Sequence, residues 1–150
     1  MEGRGYTKTH TFQVSKTINA PLRFVYRWCT DYRESDPKIT GSKFKRRILL
    51  KTQHRAVYNS TYTSGGKPRS IVNVVTLRPP RAWHLDAVGD EIDEKVDYVL
   101  TKLGSRRTRL DITFTGHYRT HEVPTKAKDA KEVNELWDKY VAALEKEYQN

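Results

Sequence analysis

VNELWDKYVAALEKEY, residues 133–148, is the stretch of this chain that decides its fold. Val133, Leu136, Trp137, Tyr140, Val141, Leu144 and Tyr148 recur every three or four residues. That spacing lays one apolar stripe along a helix. Lys131, Glu135, Asp138, Lys139, Glu145 and Lys146 fall on the other face. A lone helix with such a stripe needs a large apolar surface to lie on. The rest of the chain must supply it, and almost all of the rest reads as strand.

Thr11 to Ile18 alternates, with Phe12, Val14 and Ile18 on one side, and predicts a first strand. Asn19-Ala20-Pro21 reads as a helix start, with Asn19 as the cap and Pro21 in the first turn. Leu22, Val25, Tyr26 and Cys29 carry helical spacing over two turns. Asp31 to Gly41, with Pro37, is turn-rich and has room for a second short helix. Strand-like runs follow at Phe44–Lys51, Ala56–Thr63 and Ile71–Leu77. Ser64-Gly65-Gly66-Lys67-Pro68 between the last two is a hairpin turn by composition. Further runs are Trp83–Val88, Glu94–Lys102 and Arg107–Tyr118, parted by Gly89-Asp90 and Gly104-Ser105. Tight turns between successive strands favour an antiparallel meander, and the alternation gives it one buried face. The expected fold is α+β: a seven-stranded curved antiparallel sheet wrapped around a long C-terminal helix, with one or two short helices after the first strand.

Length and composition set the outer limits. The 150 residues suit a single domain, 1–150, with one core. No run of 18 apolar residues is present, so no membrane span is expected. Met1 to His10 lacks the apolar core of a signal peptide. Cys29 is the one cysteine, which excludes an internal disulfide and fits a reducing compartment; a cytoplasmic location is expected. The net charge is +10, unevenly spread: Pro37 to Leu85 holds no Asp or Glu, and acids then cluster at Asp86, Asp90, Glu91, Asp93, Glu94 and Asp97. The basic 37–85 face admits three readings: a solvated surface, peripheral contact with anionic membrane, or nucleic-acid binding.

The order of these pieces resembles the START-like superfamily (SRPBCC), the helix-grip group that includes the birch-pollen allergen and bacterial polyketide cyclase/dehydrase-like proteins. The resemblance rests on VSKTINAPLRFVYRWCTD at 14–31, VVTLRPPRAWHLD at 74–86, VDYVLTKLGSRRTRLDITFTG at 96–116 and the helix at 127–149. It covers nearly the whole chain. The superfamily spans lipid carriers, hormone receptors, cyclases, coenzyme Q-binding proteins, chaperone-ATPase activators and RNA-binding members, so the shared fold does not fix the activity. The resemblance implies a hydrophobic cavity between sheet and C-terminal helix, holding an apolar or amphipathic small molecule. The inward strand phases then nominate Tyr58, Tyr62, Trp83, Leu85, Tyr98 and Leu100 as ligand-binding, together with Ile112 and Phe114. From the helix come Val133, Leu136, Trp137 and Tyr140, while Val141, Leu144 and Tyr148 are expected to anchor it to the sheet. Tyr118 shares the inward phase and adds a further polar-tipped ring. Apolar walls with a few placed hydrogen-bonding groups are the usual make-up of a ligand pocket. Tyrosines that merely fill the core and bond locally are the competing reading.

Signatures of chemistry are sparse. There is no nucleophile elbow, Walker loop or dinucleotide fingerprint. SGGKPRS at 64–70 has the composition of a phosphate loop but neither its spacing nor its following helix. His117 and His121 are four apart but at a strand end, where that spacing does not align them on a metal. His84 and Asp86 share a strand face opposite Trp83 and Leu85, as a solvent-facing pair would. Cys29 sits on an apolar helix stripe as a small buried residue. Lys16 and Arg46 fall in the apolar phases of their strands and are expected at the sheet rim, tips in water, rather than inward toward an acidic ligand. No cofactor, metal or catalytic residue is assigned. Binding, and with it transport, of a lipid, isoprenoid, quinone or polyketide-like compound is the leading expectation. A cyclase or aromatase-type enzyme is the alternative, and an RNA- or protein-binding module using the basic face a further one.

Overall fold

The computed structural model describes residues 5–150; residues 1–4, the start of the segment read as lacking a leader, lie outside the described residues. The chain runs β1 (Lys8–Ile18), α1 (Leu22–Thr30), a 3-10 turn (Asp36–Lys38), β2 (Lys45–Lys51), β3 (Arg55–Ser64), β4 (Lys67–Arg78), β5 (Ala82–Gly89), β6 (Ile92–Gly104), β7 (Arg107–Tyr118) and α2 (Lys126–Gln149). The seven strands form one sheet in the order β1-β7-β6-β5-β4-β3-β2, every neighbouring pair antiparallel. This is the α+β helix grip expected from the sequence.

Local chemistry explains the elements. β5 buries Trp83, Leu85 and Ala87 and turns the residues between them outward, the period of two that a one-sided sheet demands. The β3–β4 hairpin turns through Gly65 and Gly66, at φ of 60° and 74°. Both lie in the left-handed region that a two-residue hairpin loop requires and that glycine enters without steric cost. α1 differs from expectation at its start. Pro21 is itself the cap residue, with φ −64° and ψ 149° and no side-chain cap. The proline ring holds Ala20 out of helical geometry, so the helix begins directly after it. Asn19 is then too far upstream to cap, and its backbone N–H instead donates to Glu145 Oε2 at 2.7 Å. α2 carries a cap the sequence reading had not singled out: Thr125, whose hydroxyl accepts from the Lys128 N–H at 3.1 Å.

α2 lies along β1. His10 meets Asp129, Lys16 pairs with Asp138, and Asn19 meets Glu145, so contacts advance together along both elements. Lys16 therefore does not extend into water at the rim; Asp138 of α2 holds it. α1 clasps the far end of α2, where Trp28 Nε1 donates to Glu147 Oε2 at 2.7 Å and Phe24 meets Tyr148 at 5.0 Å between ring centroids. Leu144 is 1% exposed there, in a sealed core with Ile18, Val25, Leu100 and Leu110. While α2 follows β1, its Val133, Leu136, Trp137 and Tyr140 border an open space over the centre of the sheet.

Candidate functional site

The space between α2 and the concave sheet is a partly open cavity of about 350 Å³. Its α2 wall is Val133, Leu136, Trp137 and Tyr140; its sheet wall includes Tyr58, Leu85, Tyr98, Ile112 and Phe114. Nine of the twelve nominated residues thus border one space. The other three do not, each for a physical reason. Trp83, 2% exposed, lies behind the wall: it stacks on Tyr98 at 4.8 Å and meets Tyr26 edge-on. Leu100, 1% exposed, belongs to the sealed core at the α1 end. Tyr62 turns away: its hydroxyl donates to Glu91 Oε1 at 2.8 Å and its ring stacks on Phe44. Tyr118 also stays outside the cavity wall, donating to Asp129 Oδ2 at 2.6 Å.

Segments not nominated for ligand binding complete the enclosure. α1 gives Trp28 and Cys29, and the connection beyond it gives Tyr32, Asp36, Pro37, Ile39, Thr40, Ser42 and Phe44. Phe44 and Leu136 are 44% and 37% exposed, which sets the mouth between the 37–44 connection and α2. Lys139 Nζ donates across that mouth to the Thr40 carbonyl at 3.3 Å.

Two polar features break the apolar lining. The first is Arg46, expected at the rim but in fact directed inward. Its Nη1 donates to Asp36 Oδ2 at 2.7 Å, and its guanidinium lies 4.3 Å from the Tyr58 ring centroid. Both members of the Arg46–Asp36 pair are largely buried. The Asp36 carboxylate balances the guanidinium charge, and the Tyr58 ring covers one of its faces.

The second is a row of residues crossing the concave face in register. His10 of β1 opposes Gly116 of β7, which opposes Glu94 of β6, then Ala87 of β5, Asn73 of β4 and Tyr58 of β3. At one end, the buried His10 Nδ1 and the Tyr118 hydroxyl share Asp129 Oδ2. At the other, Asn73 Nδ2 donates to Ser60 Oγ at 3.4 Å. Glu94 stands between and lines the cavity, flanked by the two smallest side chains of the row. A side chain on Gly116 would come within 2.9 Å of the Phe114 ring, so that ring occupies the room glycine leaves.

Titration separates these groups. Desolvation, reinforced by the Asp129 charge, pushes the Glu94 carboxyl from 4.5 to about 7. Burial raises the phenols of Tyr32, Tyr58, Tyr98 and Tyr140, so they remain neutral hydrogen-bonding groups. Burial likewise pushes the Cys29 thiol up, which makes it a poor nucleophile. Glu94 is therefore the cavity group placed to exchange a proton near neutrality. Elsewhere, His84 bridges Asp86 at 3.0 Å and Asp97 at 2.7 Å on the outer face, and His117 bonds Thr9 and stacks on Tyr6. Among the described residues, no three His, Cys, Asp or Glu side chains gather to hold a metal, and no helix is long and apolar enough to cross a membrane.

A curved seven-stranded sheet gripping a C-terminal helix over a cavity is the helix-grip fold. Solved structures agree. A START superfamily protein from Mycobacterium smegmatis superposes with TM-score 0.68 at 16% identity, over 93% of this chain and 97% of that one. The Zhui aromatase/cyclase from a Streptomyces species does so with TM-score 0.68 at 16% identity, over 95% and 94%. The protein Ara h 8.0201 matches with TM-score 0.69 at 14% identity, over 95% and 99%. At such identities the likeness is one of fold. No family model matches the sequence, and a search of curated proteins finds no significant match.

Proposed function

We propose that residues 1–150 form one START-like domain that binds an apolar or amphipathic small molecule, of the lipid, isoprenoid, quinone or polyketide-like kind, beneath α2. A cytoplasmic location accompanies this reading, because the lone cysteine suits a reducing compartment. The observation that carries it is the cavity itself. Its ~350 Å³ falls within the range of about 300–1,000 Å³ usual for ligand sites. A dry core would have closed that space, since protein interiors pack to the density of organic crystals. Trp137, Tyr98, Ile112 and Phe114 offer an apolar bed, and each apolar Å² withdrawn from water contributes roughly 25 cal/mol. The test is native mass spectrometry of protein purified from its own host, with solvent extraction of whatever it carries. A co-purifying small molecule displaced by Trp137→Ala supports the reading. An empty protein that also fails to take up apolar dyes overturns it.

A cyclase or aromatase-type activity is the second reading. Glu94 favours it, because a general acid–base group works best with a pKa near the operating pH. The name of the Streptomyces neighbour points the same way. Turnover of a reactive polyketone chain that Glu94→Gln abolishes, with binding retained, would establish it over simple carriage.

A further inference from the structure

We propose that the ligand of this cavity is a hydrophobic amine, whose protonated nitrogen pairs with the Glu94 carboxylate. The inference rests on the cavity-binding reading above and adds the chemical class of the ligand.

Charge accounting inside the cavity carries it. Arg46, Asp36 and Glu94 are the ionic side chains on its wall. Arg46 and Asp36 satisfy each other at 2.7 Å, and the Tyr58 ring covers the guanidinium. Arg46 Nε has no partner but is sealed from solvent, so an entering ligand does not reach it. Glu94 is the opposite case. Among the described residues it makes neither a hydrogen bond nor an ion pair, yet its oxygens are not among the sealed polar atoms and so open onto the cavity. On the cavity wall the one charge without a partner is therefore negative; Lys139 stands at the mouth, where the Thr40 carbonyl accepts from it at 3.3 Å.

The surroundings sharpen the sign. His10 of β1, Tyr58 of β3, Tyr98 of β6, Tyr118 of β7 and Asp129 and Tyr140 of α2 are the titratable groups around Glu94, with Cys29 of α1 and the Arg46–Asp36 pair farther along the wall. None of the nearby groups supplies a free cation: His10 is committed to Asp129 at 2.8 Å, and Asp129 itself repels a charge on Glu94. An anionic guest would meet Glu94 unfavourably. A neutral guest either leaves the carboxylate unpaired or obliges it to take up a proton, and above pH 7 both carry a cost that an ammonium group avoids. A guest with a protonated amine answers the charge with a charge-assisted hydrogen bond. The aromatic lining adds ring faces, which attract ammonium groups. The proton balance is explicit. At neutral pH part of the Glu94 population is protonated, and binding an ammonium ion expels that proton to solvent.

Two probes of one skeleton test this, 2-(2-naphthyl)ethylamine and 2-(2-naphthyl)ethanol, titrated into the full chain and read by quenching of tryptophan fluorescence. The expected result at pH 8 is an amine affinity about tenfold or more above that of the alcohol. At pH 5.5, with Glu94 protonated and the amine still charged, the preference shrinks toward unity. Glu94→Gln removes both the preference and its pH dependence, and a cooperative urea transition of the variant shows that it folds. Equal affinities at pH 8, or a preference that survives Glu94→Gln, overturn the charge assignment and leave the cavity reading intact. Failure of both probes to bind overturns the cavity reading together with this one.

Discussion

Leu144 and Leu136 sit two turns apart on one helix, and the same substitution at each should have very different consequences. Leu144 is 1% exposed and enclosed by the sealed core; Leu136 is 37% exposed at the cavity mouth. Leu144→Ala removes buried methyl groups and leaves a closed void that Ile18, Val25 and Leu110 can fill only in part. Such changes cost about 2–5 kcal/mol. At roughly 2–4 °C per kcal/mol for a chain of this size, a loss of ~3 kcal/mol lowers the melting temperature by about 6–12 °C. Leu136→Ala opens onto space that already exists, so no new void forms and only part of a leucine's burial is lost, about 1 kcal/mol or less. Urea unfolding followed by tryptophan fluorescence measures both. Binding of a naphthyl probe should reverse the order, with Leu136→Ala changing affinity and Leu144→Ala leaving it near wild type in the folded range. Equal destabilisation by the two variants would refute the reasoning. It would mean that α2 is packed tightly along its whole length and that the space beneath its N-terminal half is closed.

The other predictions concern the polar row. Glu94 holds its proton more tightly in the folded chain, about 7 against 4.5, so the folded state binds more protons between those values. Stability should therefore fall as pH rises through that window, by up to ~1.4 kcal/mol per pH unit, and level off above it. Glu94→Gln should flatten this slope in urea titrations at pH 5, 6 and 7, and an unchanged slope would assign it to another group. Asp129→Ala leaves the Tyr118 hydroxyl and the buried His10 without their acceptor, at about 1–3 kcal/mol for each group. Amide exchange should then quicken in the first turns of α2, and full protection there would argue against this clamp. Gly116→Ala brings a methyl group to 2.9 Å from the Phe114 ring and should cost about 1–3 kcal/mol in a thermal scan. It should also weaken probe binding, because the displaced ring forms part of the cavity wall.

The fold was legible because its signals are periodic. A stripe at helical spacing in 133–148 and alternation in six of the strands leave little freedom of architecture. The cavity wall on α2 was legible for the same reason. What escaped was polar residues standing in apolar phases. Glu94 reads as part of an acidic surface cluster, yet it lies two residues before Val96 and four before Tyr98, both inward. Extending the alternation by one step would have turned it inward. Asn73 between Ile71 and Val75, and Ser60 between Tyr58 and Tyr62, carry the same signal. Arg46 shares its phase with Ile48, but only Asp36, ten residues upstream on an irregular turn, makes its inward course favourable. The mouth at 37–44 carries no period, so only the three-dimensional path of the chain reveals it. Trp83 and Leu100 show the converse limit. Alternation says which face a side chain takes, and not whether that part of the face is open or sealed.

The polar row also accounts for why the cavity persists. If the N-terminal half of α2 settled onto the sheet, Val133, Leu136 and Trp137 would gain apolar contact. The same movement would close space over Glu94, whose carboxyl oxygens would then lose access without gaining partners. Sealing an unpaired carboxylate costs several kcal/mol, comparable to the burial of one or two apolar side chains. His10 and Tyr118 meanwhile hold Asp129 in the first turn of α2, fixing that end of the helix along β1 rather than over the centre of the sheet. At the far end, Leu144 and the Trp28–Glu147 contact fix the helix against α1. The helix is thus tied to β1 and to α1, and the residue that resists its closing over the centre of the sheet, Glu94, is the one a guest would have to satisfy. A guest that answers Glu94 removes the penalty that keeps the cavity open. Occupancy should then draw α2 closer to the sheet and shield its central amides, as hydrogen exchange with and without the naphthylethylamine probe would report.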